Sequence, residues 1–245
     1  MRRCVKVTSH SRDTNAAMSR RGVFVTFEGV EGSGKTTQLV RLARRLRAAG
    51  VEMVATREPG GTATGRQIRR ILLDRDAGAV SPEAELFLYA ADRAQHVSEV
   101  IAPALRRGAV VLCDRYLDAT LAYQGFGRGL DIDRIVGIHR VAPLDLRPDR
   151  TLLLDHDPAS GLARARRRDR RRGTVRSEGR MEHEALAFHR RVRTGYLRLA
   201  AAEPQRFRVV DAEGAPGEIE ERVLCALADL LPALKRRFHA RRKPA

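Results

Sequence analysis

Gly22–Gln38 reads GVFVTFEGVEGSGKTTQ, and the fold follows from this stretch. Val23, Phe24, Val25, Thr26 and Phe27 form a β-branched and aromatic run that stops at a glycine-spaced loop. Leu39, Leu42, Ala43 and Leu46 then recur at helical spacing. The loop between them, Gly29-Val30-Glu31-Gly32-Ser33-Gly34-Lys35-Thr36, satisfies G-x-x-x-x-G-K-[ST] in the strand-to-helix setting that motif requires. Glycines let the backbone wrap an anion at dihedrals a side chain would forbid. Backbone N–H groups and the helix N-terminus then face phosphates. Lys35 can reach β- and γ-phosphate oxygens, and the Thr36 hydroxyl can ligate Mg²⁺. A nucleoside triphosphate is the ligand this implies, with Gly29 to Thr36 and the adjacent Thr37 as its candidate contacts.

Outward from the loop, strand and helix alternate, which predicts an α/β domain around a parallel sheet. Strands are expected at Val23–Phe27, Val51–Ala55, Ala109–Cys113, Thr151–Leu154 and Phe207–Val210. Between them, helices are expected over Lys35–Ala49, Thr64–Leu73, Leu130–Val141, Pro158–Arg172, Glu182–Glu203 and Gly217–Leu234. A single long helix is expected from Pro82 to Arg107, capped by Ser81 with acids in its first turn and ended by Gly108. Residues 1–21 lack periodicity and read as a disordered extension, with Met18 as the expected natural start. Residues 22–234 form one expected domain, and 235–245 a basic tail.

The 245 residues are 43% hydrophobic and 31% charged, which fits a globular protein. No apolar run approaches the roughly 18 residues of a membrane span. The N-terminus lacks the apolar segment of a secretory signal. Cys4, Cys113 and Cys225 are scattered without metal spacing, so a reduced, cytoplasmic setting is expected. Net charge is +17, but the arginines spread over helices as well as clustering, as codon usage in a high-GC genome would produce. Aromatic content of 4% gives no stacking platform, so nucleic acid is not the expected partner.

Asp114 ends the apolar run Val110–Cys113, the position from which a carboxylate holds Mg²⁺ beside a phosphate loop. Arg115 follows, above the sheet edge where ligands of open α/β folds bind. Tyr89 and Arg93 lie four residues apart on one helix face, which suits a flat base or a surface packing pair. Arg164 to Arg176 carries eight arginines into the glycine-flanked loop 173–179. Most of them read as a solvated face, with one or two expected to close over phosphates as a lid spanning about 164–182.

From Gly22 to about Leu234 the chain resembles the thymidylate kinase family. The matching segments are FEGVEGSGKTTQ, TREPGGT, YAADRAQH, VVLCDRYLDATLAYQG and RPDRTLLLD, in order, followed by Gly179-Arg180-Met181-Glu182 and Phe188 to Tyr196. The resemblance implies a P-loop NTPase fold with a five-stranded parallel sheet, and transfer of the γ-phosphate of MgATP to dTMP on the way to dTTP. It implies that Glu31 contacts the dTMP 3′-hydroxyl and that Arg57 and Arg115 lie near the monophosphate. Tyr89 would stack on thymine, Arg93 would reach its O4, and Gln124 would contact thymidine. The loop lacks an arginine, which resembles the bacterial subtype whose lid arginine acts in catalysis. Arg168 is the best match for that arginine, beside Lys35 and Arg115. Arg164 is the second match and is placed with the ATP contacts. A homodimer through the long helices is also implied. The lid is longer and more basic than the family's short form, and the basic tails are not family features. A P-loop kinase with another acceptor and an ATP-dependent nucleic-acid-binding protein remain the alternatives.

Overall fold

The computed structural model describes residues 21–74, 78–141, 145–172 and 180–231, with side chains excepted at 169–172. Residues 1–20 of the expected 1–21 extension, with Met18, the 173–179 loop of the lid, and residues 232–245, which include the 235–245 tail, lie outside the described residues. Five strands, β1 (Phe24–Glu28), β2 (Met53–Arg57), β3 (Val110–Asp114), β4 (Arg150–Asp155) and β5 (Phe207–Asp211), form one sheet in the order β2-β3-β1-β4-β5. Every neighbouring pair is parallel. β1 is central and wholly buried, which is why its sequence runs apolar without alternation.

Side chains alternate across the sheet. Val25 and Phe27 pack on one face with Leu39, Leu42 and Leu46 of α1 (Lys35–Ala48). Ile219, Val223 and Leu224 of α9 (Pro216–Ala226) complete that layer. Phe24 points the other way, into a layer with Ile101, Val111, Tyr116 and Leu117. Thr26 and Glu28 share its parity and so its face. Beyond that layer lie α3 (Pro82–His96) and α8 (Leu186–Ala202), whose Phe188, Val192 and Tyr196 recur every four residues as a buried stripe.

The remaining helices are α2 (Ala63–Leu73), α4 (Ala102–Arg106), α5 (Leu117–Thr120), α6 (Ile132–Ile138) and α7 (Pro158–Arg172). The single helix expected over Pro82–Arg107 is instead α3, a π-helical turn at Val97–Ile101 and α4. Pro103 lacks an N–H and its ring crowds the carbonyl four residues back. The wider turn, in which Ala102 N–H bonds to Val97 O, carries the chain past it. Leu117–Gly127 is helical, closing in π-helical turns, where no helix is expected. The helix expected from Glu182 starts at Leu186, after a 3₁₀ turn at Met181–His183. The helix expected over 130–141 is confined to Ile132–Ile138, begun by the Asp131 cap on Asp133 and Arg134 N–H. The last helix ends at Ala226 rather than Leu234.

Candidate active site

The Gly29–Thr36 loop joins β1 to α1 at the carboxyl edge of the sheet. Gly32, at φ 71, is indispensable to its packing: a Cβ there would lie 1.9 Å from Gly161 O on α7. A Cβ on Gly161 would in turn meet Glu31 O at 2.2 Å. The loop and α7 thus meet backbone to backbone. Lys35 is buried and its Nζ donates to Val30 O (2.8 Å), Gly29 O (3.1 Å) and Ser33 Oγ (3.4 Å). Burial, then the nearby Arg115 charge, lowers its pKa to about 8. Thr37 is exposed in the first turn of α1, where N–H groups have no intrahelical acceptor.

Thr36 Oγ1 donates to Asp114 Oδ2 at 2.5 Å, although 78 residues separate them. β3 pairs beside β1, with Phe27 opposite Asp114, and this register brings the acid to the head of α1. A hydroxyl and a carboxylate side by side form a hard-oxygen donor set that fits Mg²⁺. Among the described residues no three His, Cys, Asp or Glu side chains converge as a metal cage. Two protein oxygens with the rest from phosphates and water is the mode in which Mg²⁺ is held beside nucleotides. A cleft of about 290 Å³ opens here, lined by Thr36, Thr56, Arg57, Gly60, Gly61 and Asp114 among others. Arg57 is exposed at the end of β2, in register with Asp114.

On the other side of the loop, Arg115 is the centre. Its NH2 donates to Glu31 Oε1 (2.7 Å) and Tyr123 Oη (3.0 Å), and its NH1 to Tyr196 Oη (3.2 Å). The guanidinium lies 4.7 Å from the Tyr123 ring centroid. Burial would raise the Glu31 pKa, but Arg115, Lys35 and His189 outweigh it and lower it to about 2. Glu28, fully buried, accepts from Tyr116 N–H and Tyr196 O–H, each at 2.7 Å. Burial and the Asp118 charge raise its pKa to about 8.

Tyr89 is half-buried on α3, and burial pushes its phenol up. Arg93 is 1% exposed and held inside the protein. Its Nε donates to Glu58 (2.8 Å), its NH2 to Thr120 (2.9 Å), and its NH1 contacts His139. Gln124 is equally buried and donates to Glu85 Oε1 at 2.6 Å. Arg128 and Arg180 converge on the same Glu85. On α7, Arg168 is exposed and donates to Glu182 (3.0 Å), while Arg164 faces Glu213 at 3.7 Å. Arg170, Arg171, Arg172 and Arg176 have no described side chains.

The structure therefore gathers Lys35, Thr36, Asp114, Glu31 and Arg115 around one loop, and sets Tyr89, Arg93 and Gln124 on the α3 side. Arg164 and Arg168 stand apart on α7. Glu28, Tyr123 and Tyr196 join the Arg115 cluster without a role read from sequence. Glu28 carries a signal, an acid closing an apolar strand as Asp114 does. Tyr196 carries another, a phenol in the Phe188–Val192 stripe whose hydroxyl needs a buried partner.

The thymidylate kinase family model matches residues 27–223. A thymidylate kinase of Solidesulfovibrio magneticus is 54% identical over 209 residues, covering 85% of this chain and all of that protein. One from Pelobacter propionicus is 56% identical over 203 residues, covering 83% and 92%. The crystal structure of thymidylate kinase from Ehrlichia chaffeensis superposes with a TM-score of 0.68 at 32% identity, covering 84% of this chain and 98% of that one. With the phosphate loop, the Thr36–Asp114 pair and the sheet order, these place the chain in the thymidylate kinase family, among the nucleotide kinases of P-loop fold.

Proposed function

We propose that this enzyme transfers the γ-phosphate of ATP to dTMP, giving dTDP and ADP on the way to dTTP. The observation that carries the reading is Glu31, which sits inside the phosphate loop yet pairs with Arg115, so donor and acceptor sites share one wall. ATP lies along Gly29–Thr37, with Arg164 on its outer side. dTMP lies on the α3 side, its base against Tyr89 with Arg93 and Gln124 at the base edge and Glu31 at the sugar. Arg57 and Arg115 hold its phosphate. Thr36 and Asp114 would hold Mg²⁺, which would supply charge neutralisation to the transferring phosphate.

A phosphate monoester dianion is already a nucleophile, so no protein base is required. One of its oxygens bonds to the γ-phosphorus as the bond to the β,γ-bridging oxygen breaks, and ADP leaves with that electron pair. Lys35, Arg115 and a lid arginine, Arg168 by position, neutralise the charge in transfer. Residues 22–234 form the catalytic domain, with 164–182 as its lid. The reading carries a cytoplasmic setting with it. No helix among the described residues is long and apolar enough to cross a membrane. A homodimer is supported by α3, where Phe87 is 60% exposed between exposed Ala84 and Ala91. Light scattering at the dimer mass checks it.

The activity is tested by coupled ADP release with MgATP and dTMP, dUMP, dCMP, dGMP, thymidine or single-stranded DNA. Turnover with dTMP above every other acceptor is expected. Preference for thymidine or another monophosphate would overturn the base-site reading, and stimulation by DNA alone would overturn the kinase reading.

A further inference from the structure

We propose that Glu28 is a positioning residue for the acceptor phosphate: it fixes both the backbone and the guanidinium of Arg115. Among the described residues, Arg115 is the one non-glycine with positive φ (71°). A bulky residue stays in that region only where its surroundings over-determine it. Its own N–H still follows the sheet, donating to Phe27 O at 3.0 Å. The next N–H, that of Tyr116, has left the ladder and is taken by Glu28 Oε1 at 2.7 Å. A buried carboxyl group on the neighbouring strand thus holds the turn that Arg115 makes.

The second oxygen of Glu28 reaches the other end of the same residue. Oε2 accepts the Tyr196 hydroxyl at 2.7 Å, and that hydroxyl accepts Arg115 NH1 at 3.2 Å. Strand parity explains the direction: Glu28 shares the face of Phe24, toward Tyr116 and α8. The Glu28 carboxyl group makes its contacts with Tyr116 N–H and the Tyr196 hydroxyl. Its effect on the reaction passes through Arg115, while Lys35 and the ATP side of the loop are held by the loop's own carbonyls. The inference rests on the assignment of Arg115 to the acceptor phosphate.

The test is a double-mutant cycle on steady-state kinetics with the monophosphate that the wild type turns over best. Tyr196→Phe deletes one oxygen from the relay, and Glu28→Ala deletes both oxygens that meet Tyr116 N–H and the Tyr196 hydroxyl. Each is expected to raise KM for the acceptor about tenfold and leave KM for ATP within about twofold. In an Arg115→Ala background, either change should add less than about threefold to the loss in kcat/KM, because the group it acts through is gone. Full multiplication of the two losses, or equal rises in both KM values, would overturn the proposal. If Glu28→Ala does not fold, the Tyr196–Arg115 cycle decides alone by the same criteria. A wild type that prefers another monophosphate sinks the dTMP reading and leaves this cycle valid. One that phosphorylates no monophosphate overturns both.

Discussion

Lys35 shows how much a single residue can carry, and how little of its setting a motif reveals. Its ammonium is bound by two loop carbonyls and the Ser33 hydroxyl, so the loop is shaped around it. Lys35→Ala removes this internal scaffold and, on the proposed reading, the phosphate contact as well. Turnover is expected to fall by at least about 10³-fold, and an ADP-release rate near wild type would refute the role. At Tyr89 the expectation is narrower. Loss of the ring in Tyr89→Ala should raise KM for dTMP roughly tenfold or more while ATP is little affected. Equal changes for both substrates would exclude stacking. The first of these roles is written in the sequence because Lys35 belongs to a contiguous pattern. The Thr36–Asp114 meeting was equally legible, since an acid ending an apolar strand next to a phosphate loop has few places to go. Glu28 was not, because its partners lie 88 and 168 residues away and only strand parity aims it at them. Arg93 differs again: four-residue spacing from Tyr89 shows a shared face but not the Glu58, Thr120 and His139 contacts that hold the guanidinium.

At the scale of elements, all five strands were readable from apolar runs, and their ends were not. β1, β3, β4 and β5 each extend one residue further to an acid, Glu28, Asp114, Asp155 and Asp211, because ladder hydrogen bonds and not hydrophobicity decide where a strand stops. Those acids line the edge where the site forms. Helix periodicity located α3 and α8 but missed the π-helical turns, whose cause at 97–101 is the proline that follows and whose presence at 121–127 no local pattern announces. The seam between the phosphate loop and α7 was also hidden, since Gly161 reads as an ordinary helical glycine. Its backbone contact with the loop makes a specific forecast. Gly32→Ala pushes a methyl into Gly161 O and places a side chain at φ 71. The loop must shift off α7, so ATP affinity measured by calorimetry should fall by at least about tenfold, with thermal unfolding lowered by several degrees. Unchanged ATP affinity would show that the seam is not needed to shape the site. Gly50→Ala, at a helix end with open space around it, is the control for left-handed strain alone.

For the molecule as a whole, two acids of the site, Glu31 and the buried Glu28, couple folding to pH in opposite senses. Glu31 ionises more readily in the folded chain, at about 2 against 4.5, so its contribution is present above pH 4.5 and is lost as pH falls through 2. Glu28 holds its proton more tightly, to about 8 against 4.5, through burial and the Asp118 charge, opposed by Arg115, Tyr196 and the Tyr116 N–H. Below pH 4.5 it is protonated in both states and changes nothing. Between 4.5 and 8 the unfolded chain has lost that proton and the folded chain keeps it, so stability declines as pH rises across this window. One proton corresponds to about 1.4 kcal/mol per pH unit where the difference is complete. Glutamine carries the shape of the protonated acid without the titration. Glu28→Gln should therefore gain stability relative to wild type as pH is raised from 5 to 8, at about 1 kcal/mol per unit in urea unfolding. The sign of the trend is fixed by the raised pKa, whatever offset the substitution itself introduces at pH 5. Parallel profiles for the two proteins would mean that Glu28 is ionised in the folded chain throughout.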